Sequence, residues 1–457
     1  MMKVKVVSRE RIGLNAVGFY LIALYPLLIQ LKKVFAIDLK YFSITPISLV
    51  LTLVYFFLLA SRPIKIDFII PLLVILALAS NAVIWNVDQG ILNSYLQYYV
   101  FEILVYFSIL RRLQLDTLVK AILFQMILSI GFVGLEIALA GGIDLNAIAS
   151  RKIGIGQGGI TGLFDEPALL SFSYMLNIFI IAYGIERRVV AQRLGLFVII
   201  VAVAIIVLTL TRATLLFFAI VFLMVLGFYF SSLFNKSLKQ SWLYQQRKAF
   251  FLCSGISIFL GFLLKGYIDS RFGDTSELTY MTEILSENLG LPLPTITANL
   301  IYRIDQTQAA LMLIAQNPLG IGPLNSVDAQ KNFLIFSNFA NYNSGNLITD
   351  FFVNFGIPIS LIFFYVLFRM PSGWVAGSSA QVLIVRLGVW FLVFNVLIAT
   401  NFLVAVTATV VEFMGQAPNI YLGFPVYVGP RNIDGFIFVT YLSFVFKAKS
   451  EPDQAGV

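Results

Sequence analysis

The sequence predicts an all-α, polytopic membrane protein with about twelve transmembrane helices and a large helical loop on one face. Of its 457 residues, 59% are hydrophobic and only 12% are charged, and the mean hydropathy is +0.91. A soluble domain of this length does not need so much apolar surface. The third observation is an isolated arginine, Arg212, which is the only charged residue between Leu194 and Asn235.

The position of Arg212 requires a turn. A single helix over that stretch would be about 63 Å long, roughly twice the hydrocarbon thickness of a bilayer. The sequence therefore predicts two spans joined near Arg212, with this cation at the membrane surface between them. A guanidinium at that depth is costly without anionic company. The alternative is a snorkelling arginine that pins the turn.

Apolar runs of spanning length define the other elements. The first run follows a basic segment but no small-residue cleavage site, so we expect a retained span rather than a signal peptide. The runs fall at 14–31, 42–60, 66–84, 96–110, 118–140, 166–183, 194–210, 213–231, 249–265, 347–368, 387–411 and 433–446. This pattern predicts a first bundle of about nine spans over 1–265, a large outer loop over 266–346, and the last spans with a short cytoplasmic tail over 347–457.

The basic residues predict the orientation. With the N-terminus cytoplasmic, 20 of the 31 lysines and arginines lie in inner segments, as the positive-inside rule requires. Both termini are then cytoplasmic, and the motif segment 141–166, the Arg212 turn and the 266–346 loop share the outer face. The net charge of +8 is mostly a property of the cytoplasmic face, so no nucleic-acid partner is expected. Within the loop, helical spacing predicts an amphipathic surface helix over Ser276–Asn288 and another helix over Ile301–Gln316.

Composition also limits the chemistry. The chain has no histidine, and its one cysteine, Cys253, lies in an apolar run. Disulfides, cysteine-ligated metals and the common transition-metal sites are therefore excluded, and no metal or other cofactor is expected. Carboxylates, arginines and water remain to carry any reaction.

Two groups of polar residues mark the first outer segment and the loop helix. The first has Arg151 and Lys152, then glycines, then Asp165 and Glu166 at the mouth of a span. Asp165 could be a helix N-cap ahead of Pro167, whereas Glu166 has no local need for a charge. In the second, Arg303 begins an apolar helix; a structural ion pair with Asp305 is the simpler alternative.

A third group of polar residues closes the outer loop. Asn341, Asn343 and Asn346 stand just before a span. Unpaired amides are expensive there unless they bind sugar hydroxyls or phosphate. Capping and turn formation are the alternatives. Arginines at an outer surface suit a diphosphate, which they bind with paired hydrogen bonds.

Four short motifs together resemble the bacterial O-antigen polymerase and ligase family. Arg151 with Thr161-Gly-Leu-Phe-Asp-Glu-Pro167 resembles the family's arginine and G-L-F-x-E-P segment, and Leu208-Thr-Leu-Thr-Arg-Ala-Thr214 its L-T-x-S-R turn. Arg303 with Asn317-Pro-Leu-Gly-Ile-Gly322 is similar to the R and P-L-x-G-x-G segment of the periplasmic loop. Asn346 with Gly356 resembles the entry to the following span. The resemblance covers about residues 145–360.

The resemblance implies a metal-independent, all-helical glycosyltransferase of the bacterial inner membrane with its active face periplasmic. Its donor would be a glycan on undecaprenyl diphosphate. By motif position, Arg151, Arg212 and Arg303 would hold phosphate groups, and Glu166 would lie in the same cavity. With the polar groups described above, we predict catalytic roles for Glu166, Arg212 and Arg303, and substrate binding by Arg151, Lys152, Asp165, Asn343 and Asn346. The resemblance also implies that the protein lies in the lipid bilayer and that a chain-length regulator protein is a candidate partner.

One departure favours a polysaccharide polymerase over a ligase. Gly345 stands where the ligase motif carries a histidine, and no other histidine replaces it. A ligase that moves finished glycan to a lipid or protein acceptor is the alternative within the family. A transporter or flippase for a lipid-linked sugar is the alternative of another class. Transport needs polar groups near mid-membrane, for which Glu102 and Glu136 are the clear candidates.

Overall fold

The computed structural model describes part of the chain, and nearly all of that part is helical. Side chains are not described at 37–44, 55–61, 104, 168, 298–304, 379–380 and 393–398. The described residues are 13, 15–28, 31, 37–39, 42–44, 46–61, 102, 104–139, 160–164, 167–209, 280, 283, 284, 286–288, 298–321, 329, 331–336, 349, 352, 353, 355–362, 379–398, 437, 440, 441, 443–445, 447 and 448.

Eight long helices carry the described architecture. They are α1 (Asn15–Leu28), α2 (Pro46–Ser61), α3 (Leu104–Arg112), α4 (Leu115–Leu139), α5 (Pro167–Glu186), α6 (Gln192–Leu208), α7 (Ala298–Gln316) and α8 (Ser379–Ile398). Residues 355–362 are also helical, and Lys331–Phe333 form a 3-10 turn. The all-α prediction is confirmed for these helices, and the count of twelve spans stays a prediction.

A short hairpin precedes α2 and was not predicted. Strand β1 (Ile37–Leu39) pairs antiparallel with β2 (Phe42–Ile44), with Asp38 opposite Ser43. The predicted span at 42–60 included β2 because its residues continue the apolar run. The structure instead begins the helix at Pro46, where the fixed φ of proline suits a first turn.

Two described helices are long and apolar enough to cross a membrane. They cover Leu115–Leu139 and Leu169–Glu186, while the apolar helices Asn15–Leu28, Gln192–Leu208 and Gln381–Leu392 are shorter. A buried core helix can meet the same criteria of length and hydropathy, and the second of the two is mostly buried. Predicted and observed bounds of these two helices differ by three residues at most.

Helix α5 is the centre of the described bundle, because it packs against α4, α6 and α8. Aromatic side chains fill the α5–α8 contact: the ring of Phe391 lies 5.7 Å from Phe172 and 6.3 Å from Phe179. Tyr183 meets Phe444 edge-on at 5.1 Å. The edge-on contact suits the charge distribution of aromatic rings, and the other two pairs are tilted.

The turn between α5 and α6 is tight. Arg188 adopts a left-handed backbone conformation, and the amides of Val189 and Val190 both donate to the carbonyl oxygen of Gly184. These bonds satisfy carbonyl groups that the helix end leaves open. Helices α5 and α6 therefore form an antiparallel pair, as the predicted spans at 166–183 and 194–210 require.

Candidate functional site

The carboxylate of Glu136 holds the turn that leads into α5. Its Oε2 accepts from the amide of Gly162 at 2.7 Å and from the amide of Thr161 at 3.1 Å. Its Oε1 accepts from the Thr161 hydroxyl at 3.2 Å and lies 3.3 Å from the Thr161 amide. We call Thr161–Phe164 the 161–164 turn. Two amides and a hydroxyl thus converge on one carboxylate.

The local conformation of this turn depends on Gly162. Its φ is +58°, a left-handed value that side chains other than glycine rarely adopt, and a Cβ there would lie 2.7 Å from Cγ2 of Val133. The amide of Phe164 donates to the carbonyl oxygen of Thr161 at 2.9 Å, which closes the turn. Leu163 and Phe164 are both buried. The glycine of the G-L-F motif therefore has a backbone role in this chain.

The 161–164 turn lies at one end of α4, and a basic cluster lies at the other. Nε of Arg187 is 3.5 Å from the carboxylate of Asp116, and Nζ of Lys447 donates to the main-chain carbonyls of Arg111 and Leu113. Asp116 and Glu136 are separated by twenty residues of helix, about 30 Å, close to the hydrocarbon thickness of a bilayer. Segments predicted to be cytoplasmic thus share the end opposite the 161–164 turn.

In the predicted outer loop, Asp305 of α7 binds a second segment of the chain. Its two carboxylate oxygens accept from the amides of Ile335 at 2.9 Å and Phe336 at 3.0 Å. Burial raises the pKa of Asp305 above 3.8, against the lowering effect of these two bonds. Asp305 therefore has a role that does not require the predicted ion pair with Arg303.

The end of α7 contacts the helix that follows the loop. The amide of Ile321 donates to the carbonyl oxygen of Val353 at 2.9 Å, and the amide of Ile357 donates to that of Pro318 at 2.8 Å. Gly356 has φ +76°, and a Cβ there would lie 2.3 Å from the carbonyl carbon of Leu319. Two of the four motifs, at 317–322 and 346–356, are thereby joined. The predicted end of α7 at Gln316 is confirmed.

The side chains of the predicted site residues lie outside the part of the chain that the structure describes. Arg303 lies in α7, but its side chain is outside the described part, and α6 ends at Leu208, four residues before Arg212. Pro167 begins α5 as predicted, directly after Asp165 and Glu166. Outside the described residues lie Arg151, Lys152, Asp165, Glu166, Arg212, Asn343 and Asn346.

Sequence reasoning missed the role of Glu136. It identified this carboxylate as a candidate for a transport route, whereas its oxygens bind the 161–164 turn. One signal could have indicated this role. A negative charge in the last turn of a helix opposes the helix dipole, so Glu136 needs donors from elsewhere.

Comparison with protein-family models, with curated proteins and with solved structures finds no match to this chain. The resemblance to O-antigen polymerases therefore rests on the four motifs alone. Among the described residues, no group of three or more metal-binding side chains could hold a metal ion.

Proposed function

We propose that this chain is a polysaccharide polymerase of the bacterial inner membrane. It transfers a growing glycan from undecaprenyl diphosphate onto a lipid-linked repeat unit at the periplasmic face. Arg212 and Arg303 hold the diphosphate, and Arg151 makes a second phosphate contact. Glu166 orients the acceptor sugar or takes its proton. Polar contacts to the substrates come from Lys152, Asp165, Asn343 and Asn346.

The observation that carries the proposal is the polarity of α4. The 161–164 turn, which Glu136 binds, lies at one end, and Asp165 and Glu166 follow it directly in the sequence. Arg187 and Lys447 lie at the other end. A lipid-linked diphosphate keeps its tail in the bilayer and its charge at the surface. An enzyme for such a substrate needs its acidic and cationic groups at one face, about a bilayer thickness from the cytoplasmic arginines.

The surfaces of α4 and α6 support a membrane location. On α4, Phe124, Ile127 and Leu135 point outward with 42–52% of their surface exposed, and Phe197 on α6 is 64% exposed. A soluble amphipathic helix presents polar residues on its open side. A helix whose exposed face is as apolar as its buried face is typical of helices that contact lipid.

The chemistry needs no metal. Guanidinium groups on the diphosphate stabilise the charge that develops as the sugar–phosphate bond breaks. The carboxylate of Glu166 accepts the proton from the attacking sugar hydroxyl, whose oxygen forms the new glycosidic bond. The diphosphate leaves on its lipid. Paired hydrogen bonds favour arginine over lysine for the phosphate contacts.

Transport of a lipid-linked sugar is the second candidate, and buried polar side chains favour it. Glu102, Gln125 and Gln381 are at most 4% exposed. Polar groups on a transport route line a cavity. Other buried polar side chains join helices, because the Tyr174 hydroxyl donates to Ser129 at 3.0 Å between α5 and α4.

A gel profile of surface glycan and of lipid-linked glycan from cells lacking the gene tests the proposal. We expect a surface ladder collapsed to a single repeat unit. Bare acceptor with long chains on undecaprenyl diphosphate would identify the ligase and refute the polymerase. Loss of both, with single units trapped on the cytoplasmic side, would identify transport.

The substitution Arg303→Ala tests the diphosphate contact. We expect loss of chain extension with normal protein in the membrane fraction, since one charge-assisted contact is removed at the reacting group. Arg193→Ala is the matched control, because Arg193 is an exposed arginine at the start of α6. Loss of Arg303→Ala protein from the membrane would support a structural ion pair instead.

A further inference from the structure

Glu136 occupies a position where a carboxylate does not stabilise its own helix. It lies in the last turn of α4, near the negative end of the helix dipole. Among the described residues, the donors that bind it belong to Thr161 and Gly162, 25 and 26 residues along the chain. The contact therefore serves the turn and not α4.

The turn and α5 leave only two residues between them. Phe164 is buried and its amide is hydrogen-bonded, and Pro167 is the first residue of α5. Asp165 and Glu166 connect these two points. Because each residue spans at most about 3.6 Å, a two-residue link between fixed ends has few conformations. The anchor that holds the turn therefore sets where this two-residue link begins.

We infer that Glu136 is a positioning residue, which places Asp165 and Glu166 by binding the 161–164 turn. This inference rests on the proposed function, in which Glu166 contacts the acceptor sugar. Glu136 itself contacts no substrate. Its effect on the reaction is on the orientation of Glu166 and not on the amount of lipid-linked donor bound.

A series of substitutions separates this role from a purely structural one. Glu136→Gln keeps an oxygen for the two amides and turns its NH2 group to the Thr161 hydroxyl, which can accept. Glu136→Ala removes every bond. Thr161→Val removes only the hydroxyl donor and leaves Glu136 in place, and Thr161→Ser restores it. The series thereby tests the hydrogen bonds that the turn donates to residue 136, and not the negative charge of Glu136.

The rate assay uses membrane vesicles and single lipid-linked repeat units extracted from the deletion strain. We expect Glu136→Ala to lower the saturated rate per protein on the order of 100-fold, as misplacement of a reacting group does, with an unchanged half-saturating concentration. Glu136→Gln and Thr161→Ser should stay near wild type, and Thr161→Val should lose roughly threefold to tenfold. A wild-type rate for Glu136→Ala and Thr161→Val overturns the inference.

A second readout does not depend on activity. Since Cys253 is the only cysteine, Cys253→Ser with Asp165→Cys places a single thiol directly after the turn. We expect Glu136→Ala, and not Glu136→Gln, to change the rate at which a membrane-impermeant maleimide labels that thiol in spheroplasts. Equal labelling rates in the parent and Glu136→Ala would refute the positioning role.

The two readouts distinguish failure of the inference from failure of the proposed function. If Glu136→Ala changes the labelling rate but deletion of the gene leaves the glycan ladder intact, the positioning role is supported and the polymerase proposal is refuted. If the glycan ladder is lost on deletion of the gene but kept in Glu136→Ala, and the labelling rate is unchanged, only the positioning role is refuted. If Glu136→Ala protein fails to accumulate, Thr161→Val decides the question by the same two measurements.

Discussion

Replacement of Gly356 by alanine tests whether the end of α7 is bound to the helix that follows the loop. The new Cβ would lie 2.3 Å from the carbonyl carbon and 2.5 Å from the carbonyl oxygen of Leu319, both main-chain atoms. Main-chain atoms cannot rotate away as a flexible side chain can, so the two segments must separate. The hydrogen bonds of Ile321 and Ile357 across this contact, at 2.9 and 2.8 Å, would break with them.

The expected cost follows from these contacts. A residue other than glycine in the left-handed region costs about 1–2 kcal/mol. Each main-chain hydrogen bond contributes about 0.5–1.5 kcal/mol. We therefore expect Gly356→Ala to destabilise this contact by about 2–5 kcal/mol. Since 1.4 kcal/mol is a factor of ten, opening of the contact becomes at least about 30-fold more populated.

Hydrogen–deuterium exchange measures this opening at the amides of Ile321 and Ile357. We expect both to exchange at least about 30-fold faster in Gly356→Ala. The matched control is Gly134→Ala, because Gly134 lies inside α4 with nothing within 4 Å of its Cβ position, and alanine there should be neutral or stabilising by up to about 1 kcal/mol. Unchanged exchange at both amides in Gly356→Ala would refute the reasoning.

Three further outcomes can be measured on purified protein. Since burial raises the pKa of Asp305, this carboxyl group holds its proton more tightly in the folded protein than in the unfolded chain. Its contribution to stability therefore falls as pH rises from 3.8 through the raised pKa. Asp305→Asn should flatten that part of the profile of apparent Tm against pH, and an unaltered slope would contradict this expectation. Lys447→Met should lower the unfolding free energy by about 1.5–3 kcal/mol, because a charged donor to two main-chain carbonyls at the end of α3 is lost, whereas Lys447→Arg should recover part of it. Asp116→Ala should change stability by less than about 1 kcal/mol, since Asp116 is 52% exposed and its bond to Arg187 is screened by water; a larger loss in thermal unfolding would show that the pair is not a surface interaction.

Much of the helical architecture could be predicted from the sequence. Helix α4 runs over 115–139 where a span at 118–140 was predicted, and α7 ends at Gln316, directly before Asn317-Pro318. Long apolar runs and proline positions are local signals, so a window of about twenty residues contains them. The hairpin of β1 and β2 was missed because a strand of only three residues, joined to a longer apolar run, is too short to show a periodicity of its own.

The candidate site, like the fold, could be predicted only in part from the sequence. Its motifs could be identified from the sequence, since each is a short string of glycines and charged residues. The groups that bind those motifs could not be identified from the sequence. Sequence reasoning made Arg303 the possible partner of Asp305, while the structure places the amides of Ile335 and Phe336 there.

Taken by itself, the sequence determined the helical class, the bounds of α4, α5 and α6 to within three residues, and the segments that bear charge. It placed the start of α8 at 387, eight residues after the observed start at Ser379. Tertiary structure alone decided that Glu136 binds the turn at Gly162 and that Gly356 contacts Leu319. The partners are separated by 26 and 37 residues along the chain, by their numbers. Hydropathy depends on each residue and its near neighbours, whereas a hydrogen bond or a close backbone contact depends on which distant segments pack together.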